Sequence, residues 1–105
     1  LRGASLHIIF GMVNDKDIRG VLRLMPKEAT YYFCQASVAR ALNSTALQEV
    51  ARKFDLQGAA YPTVQAATEA ALAEADAEDF IYVGGSSFVV ADLLTCWAEM
   101  KKNRE

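Results

Sequence analysis

Leu6-His7-Ile8-Ile9-Phe10-Gly11-Met12-Val13-Asn14-Asp15-Lys16-Asp17 and Phe80-Ile81-Tyr82-Val83-Gly84-Gly85-Ser86-Ser87 decide the fold. In each stretch an apolar run ends in glycine, polar residues follow, and a helical pattern begins. Continuous apolar runs mark strands covered on both faces of a parallel sheet, because a strand with one wet face alternates instead. Ligands bind beyond the carboxyl ends of such strands. Here the first loop offers a cation and the second offers hydroxyls and backbone N–H groups, which suits an anionic small ligand.

The rest of the chain alternates in the same way. A short helix is expected from about Asp17 to Met25, with Asp15 or Asp17 as its cap and Pro26 beyond its end. Ile18, Val21, Leu22 and Met25 form its buried stripe. Thr30 to Cys34 is a second, strongly β-prone strand. Ser44 begins a helix with Leu47, Val50, Ala51 and Phe54 on one face, and Gly58 reads as its C-terminal glycine. Ala59-Ala60-Tyr61 is a short third strand, and Pro62 suits the start of the next helix. Thr63 to Ala75 is Ala-rich, with Val64, Ala67, Ala71 and Leu72 inward. Phe80 to Val83 is the fourth strand. The last helix runs from about Ser86 to Lys102, with Val89, Val90, Leu93, Leu94, Trp97 and Met100 on its buried side. The sum is β-α-β-α-β-α-β-α, an α/β fold with a mostly parallel sheet and helices on both faces.

The first and fourth strands are the most continuously apolar and should be central, and the third the shortest and at an edge. The simplest strand order is 3-2-1-4, half of a doubly wound sheet. Its reversal opens a crevice between the ends of strands one and four, lined by residues 11–17 and 84–87. The last helix presents its N–H groups and positive dipole end there. Ser86 and Ser87 can donate hydroxyl hydrogen bonds, Lys16 adds a charge, and Gly11, Gly84 and Gly85 allow close approach. The bland alternative is a tight turn, a serine cap and a solvated lysine.

Composition excludes several classes. A chain of 105 residues, 52% apolar and 23% charged, forms one domain with one core. A net charge of −2 with mixed signs leaves no basic nucleic-acid footprint. No apolar run has the length of a membrane span and no secretory leader is evident, so a cytoplasmic protein is expected. Leu1 is not an initiator Met, which reads as an excised or processed piece. Cys34 and Cys96 are expected to be reduced, and with His7 alone no Cys/His cluster has zinc spacing. His7 reads as a satisfied or surface histidine, and Asp76, Glu78 and Asp79 as a solvated turn. The sequence contains no Gly-x-x-x-x-Gly-Lys-Ser/Thr loop, no Gly-x-Gly-x-x-Gly and no Gly-x-Ser-x-Gly elbow. No catalytic residue and no metal ligand is assigned.

The segment HIIFGMVNDKD resembles the His-Ile-Val-Phe-Gly…Asp-Lys-Asp segment of the folylpolyglutamate synthase/dihydrofolate synthase family. FIYVGGSSFVVADLL resembles its C-terminal Val-x-Gly-Ser…Val-Ala-Asp-Leu-Leu segment, and AYPTVQAATEAAL between them fits its pattern. The resemblance implies a Rossmann-like C-terminal domain of an ATP-dependent amide ligase related to the muramyl ligases. Such enzymes use ATP and Mg²⁺ to make an acyl phosphate, which the amine of L-glutamate attacks. It further implies that Lys16 and Ser86, with Ser87 as neighbour, face the carboxylate of the incoming glutamate. Gly11, Asp15, Asp17, Gly84 and Gly85 would support the loops. Residues 1–105 would then be a C-terminal glutamate-ligase domain incomplete at its N-terminal side, lacking the Asp-Gly-Ala-His-Asn segment and the N-terminal ATPase domain. The fragment is expected to be inactive alone and to hold no cofactor tightly. Folate or dihydropteroate would be met only through the intact enzyme. The competing reading is a stand-alone flavodoxin-like small-molecule or phosphate-binding domain.

Overall fold

Strand and helix alternate strictly through the computed structural model, which describes residues 4–14 and 17–104. The elements are β1 (Leu6–Gly11), α1 (Ile18–Leu24), β2 (Thr30–Phe33), α2 (Ser44–Arg52), β3 (Gln57–Ala60), α3 (Val64–Glu74), β4 (Phe80–Gly85) and α4 (Ser87–Arg104). All strand pairs are parallel, in the order β3-β2-β1-β4 expected from the sequence. In register, Ile8 lies between Tyr31 and Tyr82, and Gly11 opposite Gly85.

Strand periodicity divides the core into two layers. Ile8 and Phe10 join Tyr31 and Phe33 on one face and pack against Leu22, Leu47, Ala51 and Leu56. Ile9, Tyr32 and Cys34 lie on the other face against Val64, Ala67, Ala71 and Val89. Each of the first three helices begins at a residue that caps it. Asp17 Oδ1 accepts the Gly20 N–H at 3.1 Å, Asn43 Oδ1 accepts those of Thr45 and Ala46, and Thr63 Oγ1 accepts that of Ala66. Met25 is extended, with ψ 146, because the proline after it disfavours helical backbone.

Three expectations are corrected. Gly58 is not a helix-terminal glycine: it lies within β3, where an added Cβ would collide with the Tyr31 carbonyl of β2. The left-handed position after α2 falls on Asp55, with φ 63. The sequence places Val90, Leu94 and Trp97 on the buried side of α4, yet Leu94 is 71% exposed and Val90 and Trp97 are also exposed, while Val89 and Met100 are buried. Likewise the apolar β4 is an outer strand among the described residues, and Phe80 is 68% exposed. Phe80 and Tyr82 share a face with Leu6 and Ile8. The helices of that face, α1 and α2, connect β1 to β2 and β2 to β3, so they cover the other half of the sheet. Among the described residues, no helix is long and apolar enough to cross a membrane.

Leu47→Ala should lower stability by about 3 kcal/mol, because the cavity forms in a closed layer. Leu94→Ala should cost under about 0.5 kcal/mol. Urea unfolding of the two variants checks which face of α4 is buried.

Candidate functional site

The loops after β1 and β4 meet at the carboxyl ends of the strands. Ser86 donates its backbone N–H to the Gly11 carbonyl at 2.8 Å, extending the β1–β4 ladder by one step. The chain then turns into α4 through Gly85, whose φ of +96 is a conformation few other residues adopt. An added Cβ there would strike the Gly11 carbonyl. Gly11 is equally confined, with Val89 Cγ2 at 2.8 Å and the Cys34 carbonyl at 2.9 Å from the position of an added Cβ.

Ser86 is the buried cap of α4. Its Oγ accepts the Phe88 N–H at 3.0 Å and its carbonyl accepts the Val89 N–H at 3.0 Å. The hydroxyl keeps its own proton for donation. Ser87, the first residue of α4, is exposed, as is Gly85, while Gly84 is buried in β4. Asp17 is committed to capping α1. Lys16 and Asp15 lie outside the described residues.

A third loop, after β2, closes over the first and was not singled out from the sequence. Leu42 N donates to Met12 O at 2.9 Å, Asn14 N donates to Arg40 O at 2.8 Å, and Val13 bridges Ala41. The Arg40 guanidinium sits 5.7 Å from the Phe88 ring centroid, so a cation stands over the first turn of α4. On the other side, Asp92 of α4 accepts both the backbone N–H and the hydroxyl of Ser37, at 2.8 and 2.9 Å. Nothing in the spacing of Ser37-Val38-Ala39-Arg40 signals this placement, because it depends on β2 lying beside β1. Burial pushes the Cys34 thiol up to about 12, with Asp92 adding to the shift. Cys34 is therefore a packing residue and no nucleophile. Both cysteines are free thiols.

A hollow of roughly 600 Å³ lies elsewhere. It lies at the opposite end of the sheet, lined by Lys27, Glu28, Thr30, Asp55 and Gln57. Its lining charges are all exposed, so nothing there is desolvated to grip a ligand.

At that same end of the sheet Asp76 and Glu78 are exposed as the solvated turn requires, but the Asp79 side chain turns inward into a polar cluster. His7 Nε2 lies 2.8 Å from Asp79 Oδ2, and its Nδ1 2.9 Å from the Tyr32 hydroxyl. The backbone N–H groups of Asp76 and Ser5 also donate to Asp79. The Asp76 N–H foremost, then the His7 ring and the Ser5 N–H, hold the Asp79 carboxyl down at about 2, against an ordinary 3.8. Of the two readings the sequence leaves for His7, satisfied or on the surface, the structure has the first, a buried ring with both nitrogens partnered.

No family model matches the chain. Over 96 residues, 89% of the chain, it is 35% identical to a probable bifunctional folylpolyglutamate synthase/dihydropteroate synthase of Haloferax volcanii, and it covers 11% of that protein. A protein of the same description from Halobacterium salinarum is 33% identical over 96 residues, 88% of this chain and 11% of its own length. Among solved structures, Escherichia coli FolC in complex with DHPP and ADP superposes with a TM-score of 0.83 at 26% identity, covering 96% of this chain and 24% of that one. The chain therefore spans about a tenth of the curated relatives and about a quarter of FolC.

Ser86→Ala should destabilise the chain by about 1 kcal/mol through the lost cap. Gly85→Ala should cost about 1–3 kcal/mol through backbone strain. Thermal unfolding of both reads the difference. Because the Asp79 pKa is depressed in the folded state, its contribution is complete above about pH 4 and is lost as pH falls towards 2. Asp79→Asn should be less stable at pH 7 and show a flatter stability profile between pH 4 and 2, measured by urea titration.

Proposed function

From a chain whose sequence and fold match one segment of folylpolyglutamate synthases, we propose a part of an ATP-dependent folate–glutamate ligase that helps hold the incoming L-glutamate. We assign residues 1–105 to its C-terminal glutamate-side domain, inactive without the rest of the enzyme. The observation that carries the reading is the junction of the β1 and β4 ends, where Ser86 N meets Gly11 O at 2.8 Å beneath the N-terminus of α4. That junction aims a helix N-terminus and a capped serine hydroxyl at one point outside the sheet. Helix N-termini attract carboxylates through their unpaired N–H groups and dipole.

In this reading Ser86 and Ser87 donate to the glutamate carboxylate and Lys16 supplies the balancing charge. Gly11, Gly84 and Gly85 let the backbone approach, and Asp15 and Asp17 support the Lys16 loop. A carboxylate held there leaves the amino group of glutamate pointing away from α4, towards the acyl phosphate that the ligase reaction requires.

The described residues offer no site fitted to the nucleotide or its metal. Among the described residues no group of three His, Cys, Asp or Glu side chains is placed to hold a metal ion, and the sequence has no phosphate loop. ATP and Mg²⁺, which supply the phosphorylation step, belong to the remainder of the ligase in this proposal, and so does the folate site. The stand-alone phosphate-binding alternative is less favoured, because the relatives resemble this chain over nearly its full length.

In the full-length ligase, Lys16→Ala should raise the KM for glutamate about 10- to 100-fold, the scale of one charged hydrogen bond. The KM for ATP should stay constant. Steady-state kinetics with glutamate and ATP varied separately checks the assignment, and a normal glutamate KM would reject it.

A further inference from the structure

β4 is an outer strand of the described sheet, and its open edge carries none of the usual protection. Such edges are ordinarily blunted by charge, proline or a bulge, because their unpaired N–H and C=O groups template further pairing. The Phe80–Val83 run has no charge and no proline, and it pairs with β1 in unbroken register. Phe80 N donates to the Ser5 carbonyl and Ser86 N to the Gly11 carbonyl, so the even-numbered residues turn their backbone groups towards β1. Ile81 and Val83 turn theirs to the open side.

The side chains flanking that edge are apolar both above and below the sheet. On one face Phe80 and Tyr82 are exposed. On the other face lies α4, whose sides are assigned by its contacts. Val89 and Leu93 pack into the sheet layer and Met100 is buried. Asp92 reaches Ser37, and Asp92, Thr95 and Cys96 line a hollow shared with Thr63, Val64 and Gln65 at the start of α3. With about 100° between successive residues, Val90, Leu94 and Trp97 fall on the side away from α3, beneath the open edge of β4, and all three are exposed. Between Ser87 and Trp97 the single charged residue is Asp92, which is held by Ser37. Phe80, Ile81, Tyr82, Val90, Leu94 and Trp97 together present on the order of 600 Å² of apolar surface, the upper end for the largest patch of a monomer.

We propose that this edge is the interface of a two-fold dimer, in which β4 pairs antiparallel with β4 of a second copy. A two-fold axis normal to the sheet keeps each face on its own side. It therefore joins the backbone edges, the Phe80–Tyr82 faces and the α4 stripes in a single isologous contact. The band is complementary to itself, and this is what makes a second copy its occupant. Ile81 and Val83 hold the outward backbone groups, so Ile81 exchanges hydrogen bonds with Val83 of the second copy, and Tyr82 faces its counterpart on the axis. From Gly85 back to Tyr82 the strand covers about 10 Å, which α4 spans in about seven residues from Ser87. Leu94, the most exposed of the stripe, thus lies level with Tyr82 and meets its counterpart beneath it. With the strand backbone included, the contact approaches the roughly 800 Å² that each partner buries in a stable interface.

Sedimentation velocity of the 105-residue chain at about 100 µM, well above a micromolar Kd, is the test. The chain should sediment at twice the mass of one copy. Leu94→Glu sets two carboxylates against each other on the axis and should weaken the dimer by about 10-fold or more. Leu94 lies in water on the single chain, so circular dichroism of this variant should match the wild type. Leu24→Glu, at a leucine of α1 that is 84% exposed, should leave the dimer intact. On mild oxidation Tyr82→Cys should give a disulfide-linked dimer, and Phe80→Cys should not, because that position stands about 13 Å from its counterpart. A monomer at this concentration would overturn the dimer and leave the edge to a different partner. A dimer indifferent to Leu94→Glu, one cross-linked through Phe80→Cys, or an open-ended polymer would overturn it as well.

Discussion

The hydrogen bond from Ser86 N to Gly11 O carries the site, and the rest of the architecture serves to make it possible. It requires β1 and β4 to be parallel neighbours with Gly11 opposite Gly85. It also requires Gly11 to lie close to Cys34 and Val89, and Gly85 to take a positive φ. With these conditions met, α4 starts directly above the end of β1 and its first turn faces outward. One methyl group at Gly11 or Gly85 would push the two elements apart. The glycines are thus demanded by close packing, and any service to a ligand comes in addition.

The remaining contacts around the junction make it stiff. Asp92 ties α4 to Ser37, and the Leu42 and Asn14 amides tie the loop after β2 to the loop after β1. These hydrogen bonds tie the described parts of the three loops to one another and to the sheet. At the opposite end the His7 cluster performs the corresponding work for β1, β2, α3 and the turn before β4. It is a polar network at a place where, among the described residues, no buried side-chain nitrogen or oxygen lacks a hydrogen-bond partner. Such networks strengthen packing only when they are complete.

The outward face of β4 and the Val90–Leu94–Trp97 stripe of α4 follow a different rule. Their apolar side chains lie in water on this chain, although their sequence has the character of buried elements. Helical and strand periodicity report that a residue is apolar and on which face it stands. They do not report whether another element covers that face. The same limit applies to Gly58, where a glycine after a helix reads as a terminator but is required by the Tyr31 backbone beside it.

Much was decided by the sequence alone: the α/β alternation, the two apolar strands ending in glycine, the strand order and hence the crevice, while the caps were narrowed to Asp15 or Asp17 and to Ser86 or Ser87, with the structure choosing Asp17 and Ser86. These follow from local terms, namely hydrophobic period, backbone preference and capping chemistry, together with the handedness of parallel connections. Only the tertiary structure decided that Arg40 stands over Phe88, that Asp92 grips Ser37, and that Asp79, His7, Tyr32 and Glu74 join in one chain of hydrogen bonds. Each of these links residues that are distant in sequence and meet only through strand register, and register is set by the packing of the whole sheet. Asp79 shows the difference most directly. In sequence it is one acid among several before a strand, and in the fold it is the buried acceptor on which the start of β1 is fastened.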